Sequence, residues 1–171
     1  MNNNKQEEIL DLVDENDCVI GQMKRSFVHA QGVTNYRYVG AMIVNNAGQL
    51  WLPRRTLDKE VLPGHFGTSM GGHVSSGESY LDALRRELKE ELFLDLDSVN
   101  YRQLGLLTPK EHNVPAFTMV YEIKLEKVNR YNKNDFSEAF WITPKAFWAL
   151  VKKGEKTGSI VRKVIELFYN Y

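Results

Sequence analysis

The chain has 171 residues, 43% of them hydrophobic, which suits one compact domain with a sizeable core. Its 22 lysines and arginines balance 22 aspartates and glutamates, so no global field draws it to nucleic acid or to a membrane, and phosphate binding has to come from local clusters. A single cysteine, Cys18, excludes an intramolecular disulfide and a cysteine-based zinc site. The opening residues hold no apolar signal region and no 18-residue apolar run occurs, so the expected compartment is the cytoplasm.

Residues 1–8 are polar and are expected to fray. Short apolar-rich runs at 9–13 and 19–23 flank Asp14-Glu15-Asn16-Asp17, the pattern of an N-terminal β-hairpin. Residues 24–31 suit either a short helix or a lead-in loop. Residues 36–45 and 49–55 read as strands joined through the turn signal Asn45-Asn46-Ala47-Gly48, a second hairpin. Residues 56–66 contain Pro63-Gly64 and read as a loop, and 67–74 as a strand-like piece leading into a helix at 79–92. Strands are expected at 99–108 and 116–127, the latter alternating around Phe117, Met119, Tyr121 and Ile123, with a loop at 109–115 between them. A short strand at 139–142 precedes Thr143-Pro144, an N-cap with proline at the first helical position, and a helix to about residue 152. After a turn at 154–158, Val161, Val164, Ile165 and Phe168 mark a last helix at 159–169. No repeat, low-complexity segment or domain boundary interrupts the chain.

The helix at 79–92 is dense in carboxylates. At about 100° per residue, Glu87, Glu90 and Glu91 share an arc of roughly 100°, and Leu81, Leu84 and Leu88 an adjoining arc facing the core. Such acids repel one another unless a divalent cation lies between them, and hard cations such as Mg²⁺ favour a few carboxylates plus substrate phosphates. Ala83, one turn before Glu87, leaves room for such a ligand. A solvated acidic helix face is the plainer alternative.

Residues 72–94 resemble the Nudix box: a glycine, five residues, a glutamate, seven residues, then Arg-Glu-aliphatic-x-Glu-Glu-x-Gly-aliphatic. Here these are Gly72, Glu78, Arg86-Glu87-Leu88-Lys89-Glu90-Glu91-Leu92 and Leu94. One position departs, Phe93 standing where the family has its last glycine, which suggests a differently shaped helix exit. The resemblance implies an α/β fold, an α/β/α sandwich with a mixed sheet to which the N-terminal hairpin is added. It also implies Mg²⁺ or Mn²⁺ held by Glu87, Glu90 and Glu91, with the Gly72 carbonyl as a further ligand. Glu91, Glu87, Glu90 and Arg86 form the implied catalytic set, with Glu91 as the candidate base. Arg86 would fork onto a carboxylate and orient it, and Glu78 would be architectural, a role compatible with a helix-start charge. Gly71 and Gly72 permit close backbone approach, or form a plain turn.

Arg54, Arg55 and Lys59 form a basic cluster ahead of the box and are candidate diphosphate contacts. Alternation puts only one of the two arginines on the site face, and a solvated strand end is the alternative. His65, His73 and Glu111-His112 are either substrate contacts or ordinary surface groups. Trp51, Tyr36 and Phe66 could stack a base or belong to the core, where Trp141 is expected.

The layout from Tyr36 to the box also resembles the branch containing isopentenyl-diphosphate isomerase, in which Arg55 and Lys59 would contact the diphosphate. That enzyme needs a cysteine where this chain has Met70, and a histidine where it has Tyr36. A thioether cannot carry the proton of an allylic isomerisation, and Cys18 lies far upstream. The expected activity is therefore hydrolysis of a diphosphate linkage in a nucleoside di- or triphosphate or a nucleoside diphosphate linked to X. The alternatives are an isomerase-like enzyme and a non-catalytic nucleotide-binding module. The expected partner is a small diphosphate substrate, with neither nucleic acid nor membrane. The N-terminal hairpin serves either a homodimer contact or an extension of the sheet.

Overall fold

The computed structural model describes residues 7–169. Its centre is β3 (Arg37–Val44), which alternates strictly between two apolar layers. Val39, Ala41 and Ile43 face α2 (Tyr80–Leu92), meeting Leu84, Leu88 and Leu92. Met42 and Val44 face the other way, towards α4 (Pro144–Lys152) and α5 (Ser159–Phe168), where Phe147, Val161, Val164 and Ile165 close the second layer. The period-two pattern of one strand thus fixes the α/β/α sandwich expected from the sequence.

The main sheet is mixed, in the order β6-β7-β3-β4-β8 with β5 also paired to β3. β3 runs parallel to β7 (Phe117–Lys124) and antiparallel to β4 (Leu50–Arg55) and β5 (Met70–His73). β6 (Asn100–Leu107) pairs β7, and β8 (Phe136–Ile142) pairs β4. β4 follows β3 for only two residue pairs before peeling away, and β5 takes its place along 38–41. Ser69, fully buried, bridges the split: its hydroxyl accepts from the Ile43 N–H at 2.7 Å and donates to the Trp51 carbonyl at 2.5 Å.

The hairpin of β1 (Ile9–Val13) and β2 (Val19–Lys24) forms as expected but makes a separate two-stranded sheet rather than extending the main one. Residues 24–31 resolve as a short helix, α1 (Arg25–Ala30). Of the segment expected to fray, 1–6 lie outside the described residues, whereas Glu8 is fixed by a backbone bond from the Arg25 N–H to its carbonyl at 2.9 Å. Residues 109–112 are a one-turn helix, α3 (Pro109–His112), capped by Thr108, where a loop was expected. Trp141 is only partly buried on β8. Leu81 shares the angular position of Leu88 but lies in the first turn of α2 and is 39% exposed. Among the described residues no helix is long and apolar enough to cross a membrane.

The hairpin also clamps the loop that feeds α2. Asp11, almost fully buried on β1, accepts from the Ser76 hydroxyl at 2.7 Å, the Gly77 N–H at 3.0 Å and the Gln22 amide at 3.2 Å. Burial pushes its pKa up, but these hydrogen bonds outweigh burial and hold it below the usual aspartate range. Asp11→Ala should therefore destabilise the fold by about 1–3 kcal/mol in urea unfolding, because it leaves buried donors unpaired. A folded-state pKa below the unfolded one means this stability is fully present above pH of about 4 and is lost as the folded carboxyl protonates. The gap between variant and wild type should accordingly narrow in more acidic buffer.

Candidate active site

Ser79 starts α2 by accepting a hydrogen bond from the Asp82 N–H, and Arg86 lies two turns on. Its guanidinium forks onto Glu78, Nε to Oε1 and Nη2 to Oε2, both at 2.9 Å, and Nη2 also reaches the His73 carbonyl at 2.9 Å. Nη1 donates to Glu87 Oε1 at 2.6 Å and stands 3.7 Å from Glu90 Oε2. The expected architectural pair is thus present, and it ties β5, the box loop and α2 together around one cation. The hydrogen bond and charge of Glu78, with Glu87, hold the guanidinium firmly protonated.

Glu87 and Glu91 are buried, while Glu90 stands in the open. Burial raises the pKa of Glu87, partly offset by Arg86, with Glu90 raising it further. Burial and the charge of Glu87 raise Glu91 well above the ordinary range, although its Oε2 accepts the Gly71 N–H at 3.0 Å. The acidic face of α2 is therefore not a solvated one. Gly72 is required beside it: a β-carbon there would lie 1.8 Å from Glu87 Oε1. One at Gly71 would lie 2.7 Å from the Val39 carbonyl oxygen. Both glycines sit in β5 rather than in a turn.

A cavity of about 830 Å³ opens over this face. Glu87, Glu90 and Glu91 line one wall, with Arg55 and Lys59 elsewhere around the same space. Arg55 makes no ion pair among the described residues, and its Nε donates to the Val61 carbonyl at 3.0 Å. Lys59 pairs with Asp135. Arg54 alternates to the other face as strand geometry demands, pairing with Glu138 at 2.6 Å and Glu155 at 3.1 Å and covering Phe66 at 4.1 Å. This corrects its place among the candidate substrate contacts. Ala83 is packed in the core under α2, so it provides no room for a ligand. Phe93 adopts the left-handed conformation (φ 56°) that a glycine would take, so the helix exit keeps its usual shape, with the Arg130 guanidinium 4.5 Å over the ring.

His73 lines the cavity, and its Nε2 lies 3.1 Å from His29 Nε2. Burial, then the charge of Arg25 and other neighbouring groups, pushes its pKa down to about 3. His65, bonded to the Pro63 carbonyl, and His112, which accepts the Thr108 N–H, are outside the lining. Trp51 and Phe66 are core, and Tyr36, also buried, stacks beside His73. Met70 is packed in the core, and Cys18 is exposed on the hairpin side and away from the cavity. Sequence reasoning missed Arg25, His29, Tyr38, Asn134 and Asp135, all of which line it. Only Tyr38 carried a signal, since it shares a strand face with Tyr36.

The NUDIX domain family matches residues 34–164. The chain belongs to the Nudix family. An uncharacterised Nudix hydrolase of Nostoc sp. is 52% identical over 162 residues, 95% of this chain and 96% of that one. A Nudix hydrolase of Deinococcus radiodurans is 36% identical over 163 residues, 95% of each chain. A crystal structure from Deinococcus radiodurans superposes with a TM-score of 0.89 at 35% identity, covering 95% of this chain and 100% of that chain. The Escherichia coli dihydroneopterin triphosphate pyrophosphohydrolase, at 17% identity and TM-score 0.56, covering 78% and 94% of the two chains, shares the fold. The protein is thus a hydrolase of pyrophosphate bonds, of a family whose members generally need divalent cations.

Among the described residues no three His, Cys, Asp or Glu side chains already converge as a ligand set. The donor chemistry nevertheless fits a hard cation: two buried carboxylates that repel each other, a third beside them, and a strand whose lack of a β-carbon admits Glu87. Gly72→Ala should displace Glu87 while leaving far-UV circular dichroism unchanged. Calorimetric Mn²⁺ affinity is expected to fall by about tenfold or more, and unchanged affinity would remove Glu87 from the ligand set.

Proposed function

We propose that Glu87, Glu90 and Glu91, with the Gly72 carbonyl, hold Mg²⁺ or Mn²⁺ for hydrolysis of a diphosphate linkage. The substrate would be a nucleoside di- or triphosphate or a nucleoside diphosphate linked to X. The observation that carries this reading is a single cavity with a buried, mutually repelling acid pair on one wall and Arg55 and Lys59 around the same space. When bound, the cations would neutralise diphosphate charge and acidify an attacking water. Arg86 keeps Glu87 in orientation through its 2.6 Å hydrogen bond, and the Gly71 N–H fixes Glu91. Arg55 supplies a planar fork to phosphate oxygens, and Lys59, shared with Asp135, a point charge. Glu91, raised by burial and by Glu87, is the candidate base.

The core position of Met70 leaves no proton carrier on the cavity wall where an isomerase would need its cysteine, which supports hydrolysis over allylic isomerisation. A panel of nucleoside di- and triphosphates, nucleotide sugars and an isoprenoid diphosphate, assayed with Mg²⁺, Mn²⁺ or EDTA, tests the reading. Metal-dependent phosphate or nucleotide release from one group is expected, and Glu91→Gln should lower it by about 10²-fold or more at unchanged fold. Conversion of the isoprenoid diphosphate without water uptake, or full activity of the variant, would overturn it.

A further inference from the structure

The cavity is larger than a cation and a diphosphate need, since about 830 Å³ lies in the upper range of pockets that enclose a drug-sized ligand. Away from the acids it is lined by Val61 and Leu62 of the 56–66 loop, by Gly158 to Val161 at the start of α5, and by Asn134. Three features of this end remain unaccounted for by binding a diphosphate. Leu62 is held at φ 51°, a left-handed conformation that strains a leucine by on the order of 1 kcal/mol, and its side chain is 42% exposed. That side chain lies against the start of α5, where a β-carbon on Gly158 would be 3.5 Å from Leu62 Cδ1. Asn134 gives its backbone to the fold, its carbonyl accepting the Thr56 hydroxyl at 3.1 Å and its N–H donating to Asn132 Oδ1 at 3.0 Å. Its side-chain amide makes no hydrogen bond among the described residues.

We propose that Leu62, Ile160 and Asn134 form a nucleobase subsite, in which the two aliphatic side chains cover the base and the Asn134 amide reads its edge. This rests on the nucleotide-hydrolase reading and adds the group that the enzyme recognises beyond the diphosphate. A flat heterocycle offers apolar faces together with a donor–acceptor edge, and a side-chain amide matches such an edge with one donor and one acceptor. An isoprenoid tail would use the aliphatic wall and leave the amide idle. The same loop carries both recognitions. Arg55 holds the Val61 carbonyl, Lys59 pairs with Asp135, and the Thr56 N–H bonds the Asp135 carbonyl at 3.1 Å. Seating the diphosphate on Arg55 and Lys59 therefore sets the position of Leu62.

Leu62→Asn removes the aliphatic wall with a residue that tolerates the left-handed conformation, and Asn134→Ala removes the amide. The full-length protein and both variants would be compared by steady-state kinetics on the four common nucleoside diphosphates with Mg²⁺. Calorimetric affinities for the nucleoside monophosphates and for inorganic pyrophosphate complete the comparison. Both substitutions should raise KM and weaken monophosphate binding by roughly tenfold, with kcat and pyrophosphate affinity unchanged, and Asn134→Ala should flatten the preference among bases. Unchanged KM and monophosphate affinity in an active, folded variant would overturn the subsite alone. Base-dependent monophosphate binding without turnover, sensitive to both substitutions, would uphold the subsite and sink the hydrolase reading. A wild-type protein that binds no nucleotide, or one in which only Leu62→Asn weakens binding and the favoured ligand is an isoprenoid diphosphate, would overturn the nucleobase assignment.

Discussion

Two carboxylates that repel each other are buried side by side, and much of the local structure exists to keep them there. Glu87 and Glu91 lose solvation on folding and raise each other's pKa, an arrangement that destabilises the native state in the absence of compensating charge. Compensation from the protein is partial. Arg86 gives Glu87 one strong hydrogen bond while anchoring Glu78, and Glu91 receives a single backbone N–H from Gly71. The remaining negative charge faces a cavity ringed by Arg55 and Lys59. Local strain of this kind, supported by an otherwise well-packed sandwich, is what a site evolved to gather cations and phosphate would retain.

The fold positions these acids through two departures from a regular sheet. β4 separates from β3 after two residue pairs, Ser69 bridges the gap, and β5 fills the vacated edge with Gly71 and Gly72. The absence of side chains there lets α2 approach until Glu87 occupies the space of a β-carbon. The N-terminal hairpin then fixes the loop between β5 and α2 through Asp11, and α1 brings Arg25 and His29 to the cavity. Elements that precede the matched Nudix region, residues 34–164, thus shape the site as well as support it.

The sequence was most informative where local chemistry decides structure. The caps at Ser79 and Thr143, the alternation along 36–45 and 116–127, and the fixed spacing of the box placed the helices, the central strands and the acidic wall correctly. Alternation also showed that Arg54 and Arg55 would part company, though not which one would face the cavity. Periodicity misled at Leu81, because angular position says nothing about whether the core reaches the first helical turn. At Phe93 a residue-type preference for the left-handed conformation was overridden by the helix exit itself. His29, Asn134 and Asp135 were beyond reach, since each arrives at the cavity by tertiary packing from a segment with no motif of its own.

Thermal unfolding of wild type and Glu91→Gln, each in EDTA and in a Mn²⁺ series, bears most directly on the buried acid pair as a cation site. A ligand that binds only the native state raises Tm with concentration, whereas a buried carboxylate without its cation is a liability that glutamine removes. Wild type should gain stability with Mn²⁺, and Glu91→Gln should match or exceed wild type in EDTA while losing most of the Mn²⁺ response. A Mn²⁺ response equal in the two proteins, or a variant markedly less stable than wild type in EDTA, would contradict the account.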